Sequence, residues 1–292
     1  MKTRIMTKRN ILWVAMAFGL CACTKDSEPE FKNECGEIAF SAHVSQTRVT
    51  NNAWDGNELV GIKNGETVKT YKVAADGAMT TEEEPYQWEG TKYELSAWTP
   101  LTNEPIDLTD QSTDRKFFDC DLLASNKTVT SKNVSFTFTH QMTRMGWELQ
   151  HALGYTPEEI NAAKVYFMGY GSVLYTNGVV TPQGNPDMQI VTRSLNENTL
   201  RKGEAMMVPG EMWGKALIKV EIGEDVFTYT PNREAPTDAE KNTGLLKPNT
   251  IQRYYLSVSK KGMVVDMIEV GSSIGEWSNE DADKGLIETE ME

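Results

Sequence analysis

Apolar and polar residues alternate at period 2 along most of this chain, and that alternation predicts strands. Ile38, Phe40, Ala42 and Val44 share one face of residues 38–44. Residues 59–73 read as a hairpin: LVGIK, then Asn64-Gly65, then ETVKTYKV. Asn-Gly is the preferred type I′ pair, since both central residues need φ > 0. Asp76-Gly77 and Asn177-Gly178 repeat the turn signal. Further strands are predicted over 91–99, 134–142, 164–168, 204–208, 216–222, 226–230, 251–259 and 263–270. Many short strands separated by polar turns predict an all-β chain of sandwiches, each sheet burying one face.

A single short helix is predicted at Thr156-Pro157-Glu158-Glu159, where Thr156 caps, Pro157 suits the first position and Glu159 closes a capping box. Residues 134–142 place Val134, Phe136, Phe138, His140 and Met142 on one face. That would complete a first sandwich over 37–143, leave a second over 144–292, and put the boundary near 143–150. Long polar loops are predicted at 182–199 and 231–250.

The amino terminus changes the picture. Lys2, Arg4, Lys8 and Arg9 precede the apolar run ILWVAMAFGL at 11–20, which is too short for a membrane span of about 20 residues but suits a signal peptide over 1–22. Leu20-Cys21-Ala22-Cys23 reads as a lipobox with Cys23 as the lipidated residue. Two or three acyl chains on one cysteine anchor a protein stably in a membrane, where one would not. Residues 23–36, polar and acidic at their start, read as a flexible tether. The leader carries four of the 29 Lys and Arg and none of the 42 acids, so the remainder holds 25 bases against 42 acids, a net charge of −17. A surface this acidic argues against nucleic acid as a partner. Beyond Cys21 and Cys23 only Cys35 and Cys120 remain. An oxidising compartment permits a bridge between them, but two cysteines make no disulfide framework.

No motif carries catalytic chemistry. His43, His140 and His151 lack metal-ligand spacing, no G-x-S-x-G elbow occurs, and GEMWGK at 210–215 lacks the spacing of a phosphate-binding loop. No catalytic residue, metal or cofactor is expected. His140, on an inward face, reads as a hydrogen-bonded core histidine. Trp54, Trp88, Trp98, Trp147, Trp213 and Trp277 are scattered, which fits core and rim positions better than a sugar-stacking platform.

The segment IAFSAHVSQTRVTNNAWDGNELVGI at 38–62 resembles the amino-terminal signature of the fimbrillin-like lipoproteins, subunits of type V pili on Gram-negative outer membranes. The order F-x-F-x-H-x-M-x-R-M from Phe136, the Tyr254-Tyr255-Leu256-Ser257-Val258 strand and Ile274-Gly275-Glu276-Trp277 extend the resemblance over nearly the whole chain. It implies two tandem transthyretin-like sandwiches, a cell-surface location in fimbriae and a role in adhesion. The implied partners are other subunits joined by strand addition, the outer membrane through the lipid, and a surface glycan or protein. The alternative is a carbohydrate-binding surface lipoprotein of the same build.

The resemblance also implies a mechanism. An arginine-specific protease cuts just beyond the first strand, here between Arg48 and Val49. The strand bearing Ile38, Phe40, Ala42 and Val44 then leaves, and a neighbour's donor strand takes its groove. A donor needs alternating apolar residues. The segment after Trp277, SNEDADKGLIETEME, offers only Leu286, Ile287 and Met291 as large apolar residues, which favours a tip or accessory subunit over a stalk subunit.

Overall fold

The computed structural model describes residues 35–44, 54–195, 201–234 and 243–270. Cys23, Arg48, Val49, Trp277 and the segment after it lie outside the described residues. Strand is the dominant element of the described residues, as the alternation predicts. A seven-stranded sheet runs, in spatial order, through Ala39–Val44, Asn133–His140, Leu123–Val129, Tyr93–Thr99, Leu59–Asn64, Thr67–Val73 and Met79–Thr80. A five-stranded sheet orders Arg193–Ser194, Arg201–Met207, Thr143–Leu153, Thr250–Ser259 and Gly262–Val270. A four-stranded sheet orders Met188–Val191, Lys164–Gly169, Ile218–Ile222 and Asp225–Tyr229.

Side-chain alternation builds the cores directly. Val134, Phe136, Phe138 and His140 are all buried, while the residues between them are not. With Val60, Ile62, Tyr71, Leu95 and others they form one apolar core under the seven-stranded sheet. Trp147, Leu149, Phe167, Ile218, Val220, Tyr254 and Leu256 fill a second, between the five- and four-stranded sheets. A third core was not predicted. It gathers Trp98, Leu108, Phe117, Leu122, Met142, Val173, Tyr175 and Met206. Tyr175 fixes it by donating its hydroxyl proton to the Leu123 carbonyl at 2.6 Å.

Turn chemistry separates the three predicted hairpins. At Asn177-Gly178 both residues have positive φ, 53° and 76°, and Thr176 faces Val179, the expected type I′ turn. At 64–67 the register differs: Asn64 faces Thr67, so Gly65 and Glu66 are the central pair. Only Gly65 has positive φ, which makes the turn II′-like and assigns Asn64 to the strand. At Asp76-Gly77 the loop holds three residues. Ala74 donates its N–H to the Ala78 carbonyl and accepts from Gly77, with Gly77 at φ 84°.

The helix at Pro157–Ala162 has the predicted capping box, Thr156 and Glu159 each bonding the other's backbone N–H. A second helix, Asp114–Asp119 capped by Thr113, corrects the expectation of one. Its six residues are too few to show periodicity. Residues 143–150, read as a boundary, begin an 11-residue strand, Thr143–Leu153. The predicted loop 182–199 holds the strand Met188–Val191 and the two-residue strand Arg193–Ser194. Cys35 and Cys120 are not bridged to each other, the first being exposed and the second buried.

Candidate functional site

The strand Ala39–Val44 forms the free end of the seven-stranded sheet in chain pairing, yet it is enclosed. It runs parallel to Asn133–His140, with Phe40 opposite Val134, Ala42 opposite Phe136 and Val44 opposite Phe138. Parallel pairing could not be read from alternation, which fixes faces and not directions. Ile38 donates to the Tyr86 carbonyl and Ala39 to Lys132, each at 2.8 Å. On its far side Ala42 donates to the Gly77 carbonyl at 2.8 Å, and Ser41 bridges Ala78. The strand thus fills a slot between Asn133–His140 and the 74–78 turn.

Its inward side chains are core residues. Ile38, Phe40 and Ala42 expose 2%, 5% and 1% of their surface. Phe40 stacks on Phe136, with centroids 5.6 Å apart, and meets Tyr71 edge-on at 5.1 Å. Three of the four residues expected on this strand therefore come together in one apolar groove. For Val44 the backbone register is what the structure gives.

Two features of the slot lie outside the strand itself. Trp54, the first described residue after 45–53, donates its indole N–H to the Ala42 carbonyl at 3.0 Å and meets Phe138 edge-on at 5.6 Å. Gly77 approaches so closely that a Cβ there would sit 2.4 Å from the Ala42 oxygen. The Trp-Asp-Gly and Asp-Gly signals mark both positions in the sequence, but their contact with the first strand is a long-range fact that no local signal carries.

The groove floor is neutral. Burial raises the Tyr86 hydroxyl to about 12 and moves Tyr71 upward as well. Tyr86 spends its hydroxyl on the carbonyls of Ile62 and Thr67, at 3.0 and 2.8 Å. The groove can hold an apolar strand.

Of the other candidate residues, His140 is the core histidine expected: its Nδ1 lies 2.7 Å from Asp121 Oδ1, both side chains buried. Trp54, Trp88, Trp98 and Trp147 are buried and Trp213 is half-buried, so they make no exposed platform. Among the described residues no helix is long and apolar enough to cross a membrane, and no group of three His, Cys, Asp or Glu is placed to hold a metal.

Solved structures share this fold. A candidate cell adhesion protein from Bacteroides uniformis is 18% identical, with a TM-score of 0.56, covering 80% of this chain and 98% of its own. One from Bacteroides ovatus is 15% identical at a TM-score of 0.59, covering 82% and 99%. The tip fimbrial protein Mfa3 from Porphyromonas gingivalis, with a C-terminal truncation, is 8% identical at 0.50, covering 80% and 99%. No curated protein matches the chain. The model of the fimbrillin-like family matches residues 47–277. With residues 47–277, most of the chain, matched, the protein belongs to the fimbrillin-like family of adhesion-related fimbrial subunits.

Proposed function

We propose that this chain is a non-enzymatic structural subunit of outer-membrane-attached fimbriae, a tip or accessory subunit in preference to a stalk subunit. It is exported behind the 1–22 leader, anchored through lipid on Cys23, and matured by an arginine-specific protease between Arg48 and Val49. The observation that carries this reading is the seating of Ala39–Val44. The strand closes an apolar groove with Ile38, Phe40 and Ala42, and the chain between it and Trp54 contains Arg48.

The energetics fit a strand that is held while attached and replaceable once cut. Each buried side chain of the size of Ile38 or Phe40 contributes about 1.5–3 kcal/mol, so the intact precursor stays closed and monomeric. After cleavage the strand is a separate peptide and loses the high effective concentration of its tether. An emptied groove beside the unpaired edge of Asn133–His140 invites a strand from a neighbour. Cleavage also parts the subunit from its own lipid. The two sandwiches, 37–143 and 144–292, divide just past the turn at 141–142 between Asn133–His140 and Thr143–Leu153, with the third core packed where they meet. The preference for a tip rests on the poor donor composition after Trp277. A surface glycan or protein would be the adhesion ligand.

The test is limited digestion of the folded precursor by an arginine-specific protease, followed by sequencing of the new amino terminus. A terminus at Val49 together with a shift to oligomers is expected. Resistance at Arg48 while other exposed arginines are cut, or an Arg48→Ala variant that polymerises as well as the parent, overturns the exchange mechanism. Replacing Cys23 with Ala should release the chain from the membrane fraction. Immunogold labelling continuous along the filaments would refute the tip placement.

A further inference from the structure

A cleft of about 340 Å³ opens on the five-stranded sheet, lined among others by Arg144, Glu148, Ser194, Lys202, Arg253 and Tyr255. Its floor follows from one cross-strand row. Arg193 faces Glu204, Glu204 faces Gly146, and Gly146 faces Arg253. Gly146 contributes no side chain to that row, which leaves the space above it open beside Arg253; a Cβ there would lie 3.7 Å from Arg253 Cγ.

The charges do not balance within this row. Glu204 spends one carboxylate oxygen on Arg144, whose Nε and Nη2 lie 2.7 and 2.6 Å away, and the other on Arg193. Arg193 also pairs with Asp114 at 2.9 Å. Lys202 lies 3.7 Å from Glu148. Among the described residues Arg253 has no ion pair, and its Nε is shielded from water with no hydrogen-bond partner. An Nε donor in that state is unmet, which is costly to bury. On a chain this acidic, a half-buried guanidinium with no ion pair among the described residues is open to an anionic ligand.

The neighbouring groups narrow what would complete it. Glu148 faces Tyr255 across the strand pair as Gly146 faces Arg253, so the Glu148 carboxylate and the Tyr255 side chain share a face with Arg253, and Glu148 pairs with Lys202 at 3.7 Å. A planar carboxylate fits the fork of Arg253, and hydroxyls on the same ligand fit Glu148 and Tyr255. The volume is within the range of small-molecule sites, about 300–1,000 Å³.

We propose that this cleft binds a carboxylated sugar, its carboxylate on Arg253 and its hydroxyls on Glu148 and Tyr255. The site lies on a different sheet from Ala39–Val44 and stands or falls independently of strand exchange.

The test is calorimetric titration of the full-length mature chain with D-glucuronate, set against methyl glucoside, glutarate and inorganic sulfate. Saturable binding of glucuronate is expected, with the three comparison compounds each weaker by about tenfold or more, the worth of one charged or bidentate contact. Arg253→Gln should lose about tenfold in affinity on the same scale, and Arg253→Lys should recover part of it. Glu148→Gln should weaken glucuronate while leaving glutarate unchanged, and it keeps the test open should Arg253→Gln fail to fold. No saturable glucuronate binding overturns the assignment, as does unchanged affinity in both Arg253→Gln and Glu148→Gln. Sulfate or glutarate binding as tightly as glucuronate would reduce the cleft to a general anion site and equally refute the sugar.

Discussion

The indole N–H of Trp54 donates to the carbonyl of Ala42 at 3.0 Å, so a residue on the far side of Arg48 holds the strand that lies before it. Cleavage at Arg48 would leave this bond intact. Release of the strand therefore requires breaking its packing and its bond to Trp54, and the two can be separated by mutation.

Trp54→Phe keeps an aromatic ring against Phe138 and removes the donor. The cost should be about 0.5–1.5 kcal/mol, the net worth of an ordinary hydrogen bond, rising if the Ala42 carbonyl finds no water. Hydrogen exchange read by mass spectrometry should show faster exchange at residues 39–44 with little change at 250–259. Equal change in both segments would mean that Trp54 stabilises the whole molecule and not the strand.

Phe40→Ala tests the packing. Phe40 is buried against Phe136, Tyr71 and Tyr86, and truncating a core Phe costs about 3–5 kcal/mol. Urea denaturation of the uncut precursor should show that loss. If the strand is already loosely held, the loss will be well under that range.

Gly77→Ala should be damaging for two separate reasons. The residue sits at φ 84°, a region that side chains adopt at a cost of about 1–3 kcal/mol, and its Cβ would meet the Ala42 oxygen. The turn must move away from the first strand, so the variant should become more sensitive to protease in residues 39–44 than Gly65→Ala, where a Cβ meets nothing within 4 Å. Matching sensitivity in the two variants would remove the clash from the explanation.

What could be read from the residues divides along physical lines. The strand Ala39–Val44 with Ile38 just before it, the inward row of Val134, Phe136, Phe138 and His140 and the capping box of Thr156 and Glu159 all rest on local pattern, and the structure has each; Met142, expected on the same row, lies past the strand's end in the third core. The helix at Asp114–Asp119 is too short for a pattern; Arg193, distant in sequence, places its guanidinium 4.3 Å from the Phe117 ring centroid and 5.0 Å from that of Phe118. The third core escaped for a similar reason, since Gln111 is what ties its loop to a strand. Its side chain donates to Met206 O at 2.9 Å and accepts from Met206 N at 2.7 Å. A polar residue acting as a surrogate strand leaves no apolar signature. The parallel direction of Ala39–Val44 and the cleft at Arg253 depend on which strands become neighbours, which alternation does not specify.

Acid should loosen the loop before the helix at Asp114–Asp119. Asp110 is held down to about 2 from an ordinary 3.8, first by its hydrogen bond to Lys116, then by Ser112. A depressed folded pKa contributes stability that is complete above the ordinary value and lost as pH falls through the folded one. The advantage of the wild type over Asp110→Asn should therefore be constant above about pH 5 and fade between about pH 4 and 2. Thermal melts of both proteins across that window check it. A difference that persists undiminished at pH 2 would show that the carboxylate charge is not what matters.

Glu204→Gln should be among the most destabilising single changes on the five-stranded sheet. Glu204 exposes 3% of its surface and neutralises Arg144 and Arg193, themselves 6% and 9% exposed. An amide has one oxygen and no charge, so it cannot serve both guanidiniums. Burial already biases Arg144 against its charged form, an effect that Glu204 opposes. Removing one member of a buried ion network typically costs about 3–5 kcal/mol, because the remaining charges stay buried without compensation. Arg193 also pairs with Asp114 at the start of the Asp114–Asp119 helix. The variant should thus lose order in that helix as well as stability in the sheet. Urea denaturation gives the first quantity and hydrogen exchange at 114–119 the second. A loss below about 1 kcal/mol would mean that water reaches the cluster and screens it as it does a surface pair. Full loss without change at 114–119 would mean that Phe117 alone, not Arg193, holds the helix in place.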